Sequence, residues 1–216
     1  MIDIHTHTFL SDGLLCPAEH IRHAEMAGYR VLGIADHADL STMADIIRIL
    51  KVAAARENEL GRLRVLAGVE FTHVRPEHLE EAAATARNLG ADIVLCHGET
   101  IAEPVIEGTN RAAILAGVDY LAHPGLITQA DAELAAEKGV YLEISGKAGH
   151  SLANGHVAKM ALKTGAKLMF GSDSHSPEQF FRREKAKRVL LAAGLDETQA
   201  EQVFANAEEM VKKLLR

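Results

Sequence analysis

The chain repeats one unit of hydropathy: a short unbroken apolar run, a polar turn, then a longer segment in which apolar residues return every three or four positions. Apolar runs of about four to eight residues without alternation fit strands covered on both faces, and the longer periodic segments fit amphipathic helices. The runs near 2–4, 31–35, 63–69, 92–96, 118–122, 140–144 and 167–170 predict seven strands. Between them, 17–28, 42–60, 76–89, 106–116, 130–138 and 154–164 predict helices, with another opening at Pro177 and a last one over 197–215. Prolines stand where helices start (Pro17, Pro76, Pro177) and glycines where they stop (Gly28, Gly90, Gly117, Gly139, Gly165). Proline's fixed φ suits a first turn, and glycine suits a left-handed cap. Ser41 or Thr42 is the expected cap of the second helix. Continuous apolar strands alternating with helices build a parallel sheet under a helical layer. Every strand reads as buried, which favours a closed barrel over an open doubly wound sheet. No Pro/Ser-rich linker, charge block or low-complexity run divides the chain, so residues 1–216 are expected to form a single α/β domain.

Composition narrows the partners. A net charge of −7 opposes a general electrostatic grip on nucleic acid, so no stable nucleic-acid binding is expected, although a short nucleotide substrate is compatible with it. No apolar run approaches the roughly 20 residues that cross a bilayer. Met1 leads directly into the first strand without a secretory pattern, and a cytoplasmic protein is expected. Cys16 and Cys96 show no pairing pattern and read as core thiols in a reducing compartment. The anomaly is 12 His against 3 Tyr and no Trp, an excess that core packing does not explain.

Those histidines fall at one point of the repeat. Residues i and i+2 of a strand share a face, so His5 and His7 project together at the end of the first strand. Imidazole is the commonest protein ligand of zinc-like ions. Asp12, in the turn Ser11-Asp12-Gly13, can fold back towards the pair. His37 follows the second strand, Glu70 the third, His97 the fourth and His123 the fifth, while Asp173 and His175 follow the seventh with the opening i, i+2 spacing. In parallel α/β folds the C-terminal edge of the strands is where chemistry sits. Taken singly, His5 or His123 reads as a hydrogen-bonded turn histidine and Glu70 as a solvated strand end. Recurrence of all of them at one edge has no such explanation. The donors outnumber the four that a tetrahedral ion takes. With bridging carboxylates they suit two to three divalent ions, and zinc, manganese and iron all fit. Asp36 beside His37 and Glu99 beside His97 are read as partners that orient imidazoles or as structural salt bridges. His20, His23, His73 and His78 read as surface residues, and Arg182 and Arg183 as further rim candidates.

The segments His5-Thr6-His7, Asp12-Gly13, Ala35-Asp36-His37, Gly68-Val69-Glu70, His97-Gly98, Ala122-His123-Pro124 and Gly171-Ser172-Asp173-Ser174-His175 resemble the motifs of the PHP (polymerase and histidinol phosphatase) superfamily, in order and over essentially the whole chain. The chain is most similar to its stand-alone, histidinol-phosphatase-like phosphoesterases. The resemblance implies a distorted (β/α)7 barrel with a trinuclear metal centre at the C-terminal rim. It would place His5, His7, Glu70 and Asp173 around one ion. Glu70 would bridge to a second, held also by His97 and His123, and Asp12, His37 and His175 would hold the third.

Three divalent ions against the carboxylates of Asp12, Glu70 and Asp173 leave an excess of about +3, which focuses an anion, most naturally a phosphate. A water bridging such ions loses its proton near neutral pH, and the hydroxide attacks phosphorus in line. Lys147, in the loop after the sixth strand, is the candidate to grip phosphate, an exposed lysine being the alternative; His150 is the candidate to protonate the leaving group. The leading expectation is a metal-dependent phosphatase acting on a small phosphomonoester, with histidinol phosphate and nucleoside monophosphates both suitable. A phosphodiesterase or exonuclease of the polymerase-linked type is a second reading, opposed by the lack of a basic DNA-binding segment. A non-catalytic regulatory or metal-storage module is a third, opposed by the intact donor set. Without metal, Asp12, Glu70 and Asp173 are expected to repel one another as like charges at one rim.

Overall fold

Seven parallel strands lie side by side in chain order and curl into a nearly closed barrel. This computed structural model describes residues 1–215; Arg216, the last residue of the expected domain, lies outside the described residues. The strands are β1 (Ile2–Asp3), β2 (Val31–Ala38), β3 (Arg64–Phe71), β4 (Ile93–His97), β5 (Tyr120–Ala122), β6 (Tyr141–Ser145) and β7 (Leu168–Gly171). The helices α1 (Pro17–Met26), α2 (Met43–Leu60), α3 (Leu79–Asn88), α4 (Thr109–Leu115), α5 (Gln129–Lys138) and α6 (Asn154–Thr164) make the crossovers, and α7 (Arg183–Ala192) and α8 (Glu197–Leu214) follow β7. Parallel neighbours need such crossovers, and their helices cover the outer face of the sheet. The α/β barrel implied by the apolar runs and by the family motifs is therefore the observed fold.

Its distortion lies between β7 and β1, which share no ladder. The chain closes the barrel past their ends: the Asp173 N–H donates to the His5 carbonyl at 3.0 Å, the His7 N–H to the Ser174 carbonyl at 2.9 Å, and Thr6 bridges Ser174. Beneath this seam the Asp3 carboxylate replaces the missing ladder. It accepts from the Ser172 N–H at 3.3 Å, the His5 N–H at 3.2 Å and the Tyr29 hydroxyl at 3.3 Å.

Apolar residues pack in two clusters. The larger fills the space between sheet and helices. The smaller lies inside the barrel and joins Val31, Leu66, Ile93, Tyr120, Tyr141 and Met169 to Ala207, Met210 and Val211 of α8. The last helix thus closes the N-terminal end of the barrel, and only the C-terminal end is left for a site. Among the described residues, no helix is long and apolar enough to cross a membrane.

Four local expectations need correction. The fourth helix begins at Thr109, because Gly108 turns the chain with φ 92°. From Pro177 only a 3-10 turn forms, and Phe180 is extended. There the chain leaves helical geometry to bury Phe181 against Phe170, with ring centroids 5.3 Å apart. Neither Ser41 nor Thr42 caps α2 with its side chain; Asp39 accepts from both of their N–H groups instead. Cys96 is buried, but Cys16 is exposed, because it precedes the solvent-facing first turn of α1.

Asp3 yields a test of the seam. Burial pushes its carboxyl up to about 6 from 3.8, although hydrogen bonds from Ser172 and His5 pull it down. A carboxyl with a higher pKa folded than unfolded takes up a proton on folding, so its contribution to stability grows as pH falls through that window. In chelator, wild type should gain on Asp3→Asn by up to about 3 kcal/mol as pH falls from about 6.5 to 4. Urea unfolding of both proteins reads this directly; a pH-independent difference would refute the burial effect.

Candidate metal centre

Alternation along each strand sends every second side chain inwards. On β3 these are Leu66, Gly68 and Glu70, and on β4 Ile93, Leu95 and His97, with Gly68 beside Ile93 and Glu70 beside Leu95 in the register. The inward face is thus apolar at the bottom and ionisable at the top. His37 pairs in register with Glu70 at the end of β2. His123 and Asp173 follow β5 and β7 with left-handed backbones, φ 26° and 52°. Such conformations are costly away from glycine and concentrate at functional sites.

Glu70 is the hub. Its Oε2 lies 3.4 Å from His5 Nε2, 3.5 Å from His7 Nε2 and 2.9 Å from His37 Nδ1, and its Oε1 lies 3.6 Å from His123 Nε2. Asp173 is the second hub, with Oδ1 3.4 Å from His7 Nε2 and 3.3 Å from His175 Nδ1, and Oδ2 3.7 Å from His123 Nε2. Asp12 reaches over from the loop before α1 to His175 Nε2 at 3.0 Å and His37 Nε2 at 3.5 Å. His97 stands edge-on to His123, with ring centroids 4.4 Å apart. His150 stacks on His123 at 4.0 Å, and its Nδ1 meets the Thr100 hydroxyl at 2.8 Å. Lys147 Nζ lies 2.6 Å from His175 Nδ1 and 3.6 Å from Asp173 Oδ1. The nine donors expected from the sequence therefore meet, with Lys147 and His150, at one end of the barrel.

A metal fits this set on the structure's own terms. His5 Nε2, both ring nitrogens of His7, both oxygens of Glu70 and His123 Nδ1 are buried and have no hydrogen-bond partner. Buried polar atoms are nearly always paired, so this convergence asks for a cation. Among the described residues, donor atoms close enough to share an ion fall into four groups: His7–Asp12–His37–His175, His97–His123–His150, His5–His123–Asp173 and His5–His7–Glu70. This differs from the grouping carried over by resemblance: His7 also stands with Asp12, His37 and His175, and His150 stands with His97 and His123.

Imidazoles are interleaved with the carboxylates that were expected to repel one another. Burial opposes ionisation of Glu70, yet His5 and His37 hold its carboxyl well below the usual range. Asp173 is held down in the same way by His5, His7 and His123, against its burial. Burial disfavours a charged His5, but Glu143, Glu70 and Asp173 raise it well above its ordinary value. Burial likewise opposes, and Glu70 and Asp12 outweigh it, in raising His37. Burial drives His7 down to about 3, with the neighbouring His37 pushing the same way, and the opposing pull of Asp173 and Glu70 does not outweigh it.

Several neighbours take other roles than their sequence positions suggested. Asp36 and Glu99 orient no imidazole: Asp36 accepts from the Thr8 N–H and the Thr8 and Ser11 hydroxyls, and Glu99 from the N–H groups of Gly108 and Asn110. Both fasten rim loops. His20 is fully buried against Phe180 rather than on the surface. Arg182 and Arg183 line a cavity with Met1 and Gly28, at the N-terminal end and away from the rim. Two acids were missed. Glu143 accepts from His5 Nδ1, and Glu103 lies 3.1 Å from His97 Nε2 and 3.5 Å from His150 Nε2. A charge inside the apolar run Tyr141-Leu142-Glu143-Ile144 was a readable signal for the first; Glu103, in a loop, gave none.

A parallel barrel closed at one end, with ionisable donors from nearly every strand at the other, defines the class of α/β-barrel proteins whose site lies at the C-terminal rim. Within it, the chain belongs to the PHP domain family, whose model matches residues 3–205. It is 41% identical over 98% of its length to an uncharacterized protein of Methanocaldococcus jannaschii, covering 99% of that protein. It is 28% identical over 91% of its length to a probable phosphatase of Thermoanaerobacter sp. strain X514, covering 88% of it. Among solved structures, it matches a chain of archaeal ribonuclease P with mature tRNA at a TM-score of 0.72 (19% identity, 98% of this chain and 90% of that one). It also matches histidinol phosphate phosphatase of Lactococcus lactis, complexed with zinc, L-histidinol and phosphate, at 0.63 (16% identity, 90% and 94%). At these identities the structural likenesses establish the fold.

The charge pattern predicts opposite pH responses with and without metal. The His5 and His37 pairs stabilise the metal-free protein fully below the unfolded histidine value, and that share is lost as pH rises through their raised folded values. Divalent ions need neutral imidazoles, so their binding strengthens over the same rise. The gap in melting temperature between protein in Mn²⁺ and protein in EDTA should therefore widen from about pH 6 to 8. A flat or narrowing gap would show that ions and protons do not compete for these rings.

Proposed function

We propose that this protein is a metal-dependent phosphatase that hydrolyses a small phosphomonoester, with histidinol phosphate or a nucleotide-like monoester as the substrate type. The observation that carries this reading is the set of buried, unpartnered donor atoms of His5, His7, Glu70 and His123 at the barrel mouth. The probable phosphatase among the relatives and the phosphate-bound neighbour support it. His5, His7, Asp12, His37, Glu70, His97, His123, Asp173 and His175 would hold two to three divalent ions, for which zinc, manganese and iron all suit the donors. Bound there, such ions supply Lewis acidity, which acidifies water and neutralises a phosphate.

The chain's other residues position the substrate. Lys147 and His150 approach Asp173 from its two oxygens, Lys147 Nζ at 3.6 Å from Oδ1 and His150 Nε2 at 3.8 Å from Oδ2. Lys147 holds a phosphate oxygen at that point, and His150, steadied by Thr100, gives its Nε2 proton to the leaving oxygen. Thr72 meets His37 Nδ1 at 2.6 Å and fixes that ring. Asp36 and Glu99 keep the loops of the mouth in place.

Elemental analysis of protein purified without chelator should give two to three divalent ions per chain, and reproducibly less than one after Mn²⁺ or Zn²⁺ loading would overturn the metal reading. Phosphate release should be faster from monoesters than from diesters, should vanish in EDTA and should return with Mn²⁺. A preference for oligonucleotide diesters would establish the phosphodiesterase instead. Lys147→Ala should lower kcat/KM by about 10- to 100-fold while leaving the bound-ion count intact, the size expected from losing one charged phosphate contact.

A further inference from the structure

Glu143 is a fully buried carboxylate on β6 that the reaction described above does not use. Its Oε1 lies 2.8 Å from His5 Nδ1 and 3.0 Å from the Tyr120 hydroxyl. Its Oε2 accepts from the His123 N–H at 2.7 Å, at the residue whose φ is 26°. One carboxylate therefore grips a ring of one donor and the strained backbone of another. His5 and His123, with Asp173, form one of the groups able to share an ion.

We propose that Glu143 is a positioning residue of the metal centre, whose carboxylate fixes the His5 tautomer and the His123 backbone so that both present their donors to one ion. The inference rests on the reading of His5 and His123 as ligands. A carboxylate only accepts, so the atom facing it, His5 Nδ1, carries a proton. That leaves the lone pair on Nε2, the buried atom that has no partner in the protein. Carboxylates behind ligating imidazoles set ring orientation and raise ligand basicity in this way. Tyr120 completes the arrangement by donating its hydroxyl proton to the same oxygen.

Room for this carboxylate is built into the neighbouring strand. A Cβ on Gly171 would stand 1.8 Å from Glu143 Oε1 and 2.8 Å from the Tyr120 hydroxyl. Gly171 sits beside Ser145 in the register and two residues before Asp173. Any larger residue there would push the carboxylate off His5. The glycine of the Gly171-Ser172-Asp173 segment thus has a steric reason that involves Glu143.

Equilibrium dialysis with Mn²⁺ alone tests the proposal, with melting curves in EDTA as a check on folding. Glu143→Gln keeps the shape but turns an N–H towards either His5 or His123. It should bind Mn²⁺ about 10- to 100-fold more weakly than wild type and need correspondingly more Mn²⁺ for phosphate release. Gly171→Ala should weaken Mn²⁺ binding similarly, and should weaken it much less in a Glu143→Ala background, where the carboxylate is gone and only the milder contact with the Tyr120 hydroxyl remains. Unchanged Mn²⁺ affinity in folded Glu143→Gln, or an additive double variant, overturns the proposal. A readout on wild type stands even where variants fail to fold: ring ¹⁵N spectra of the zinc-loaded protein should show His5 as the Nδ1–H tautomer, and an Nε2–H tautomer overturns it. Wild type that binds no Mn²⁺ would instead refute the metal reading, and Glu143's role with it.

Discussion

The constraint on which this molecule depends is the burial of ionisable donors that the protein itself does not satisfy. Six nitrogen and oxygen atoms of His5, His7, Glu70 and His123 are out of reach of water and have no hydrogen-bond partner. Each such atom costs about 1–3 kcal/mol. Only a scaffold with rigid strands beneath them can hold them in place. The barrel interior does this with Leu66, Ile93, Tyr120, Tyr141 and Met169 packed under the donors. The β1/β7 seam does it with polar groups, Asp3 tying His5 to Ser172 where a ladder is missing. Charge compensation does the rest, since every central carboxylate is bracketed by imidazole nitrogens.

Much of this was legible in the chain, because it depends on period and position. Unbroken apolar runs between amphipathic segments specify a parallel barrel, and the residues after each run fall at one rim. The places where sequence reasoning went astray share a cause: side chains were judged by their neighbours in sequence. Asp36 and Glu99 stand next to histidines in the chain, yet they point sideways and fasten loops. Glu143 stands beside no histidine, yet alternation on β6 turns it inwards below His5. Glu103 comes from a loop with no periodicity, so nothing local announced its approach to His97. His20 sits on α1 with Glu19 and His23 as neighbours, but its own face of the helix is buried against Phe180.

The division of labour among acids follows from where each is anchored. Asp36, which alternation on β2 turns outwards, and the loop acids Asp39 and Glu99 satisfy backbone N–H groups and shape turns. Those turned inwards on or just past strands, Glu70, Glu143 and Asp173, face imidazoles. Strand geometry fixes direction to within a small angle, whereas a loop acid adapts to whichever donors lie near. The centre is accordingly assembled from the rigid part of the fold, with loops supplying the walls.

The packing of Ala207, Met210 and Val211 into the barrel from below has a further consequence for traffic. A barrel plugged at its base is a vessel with a single doorway. On the proposed reading, substrate enters and both products depart through the same opening, so none can pass another. On that reading, inorganic phosphate left at the doorway competes with the next substrate for the same donors.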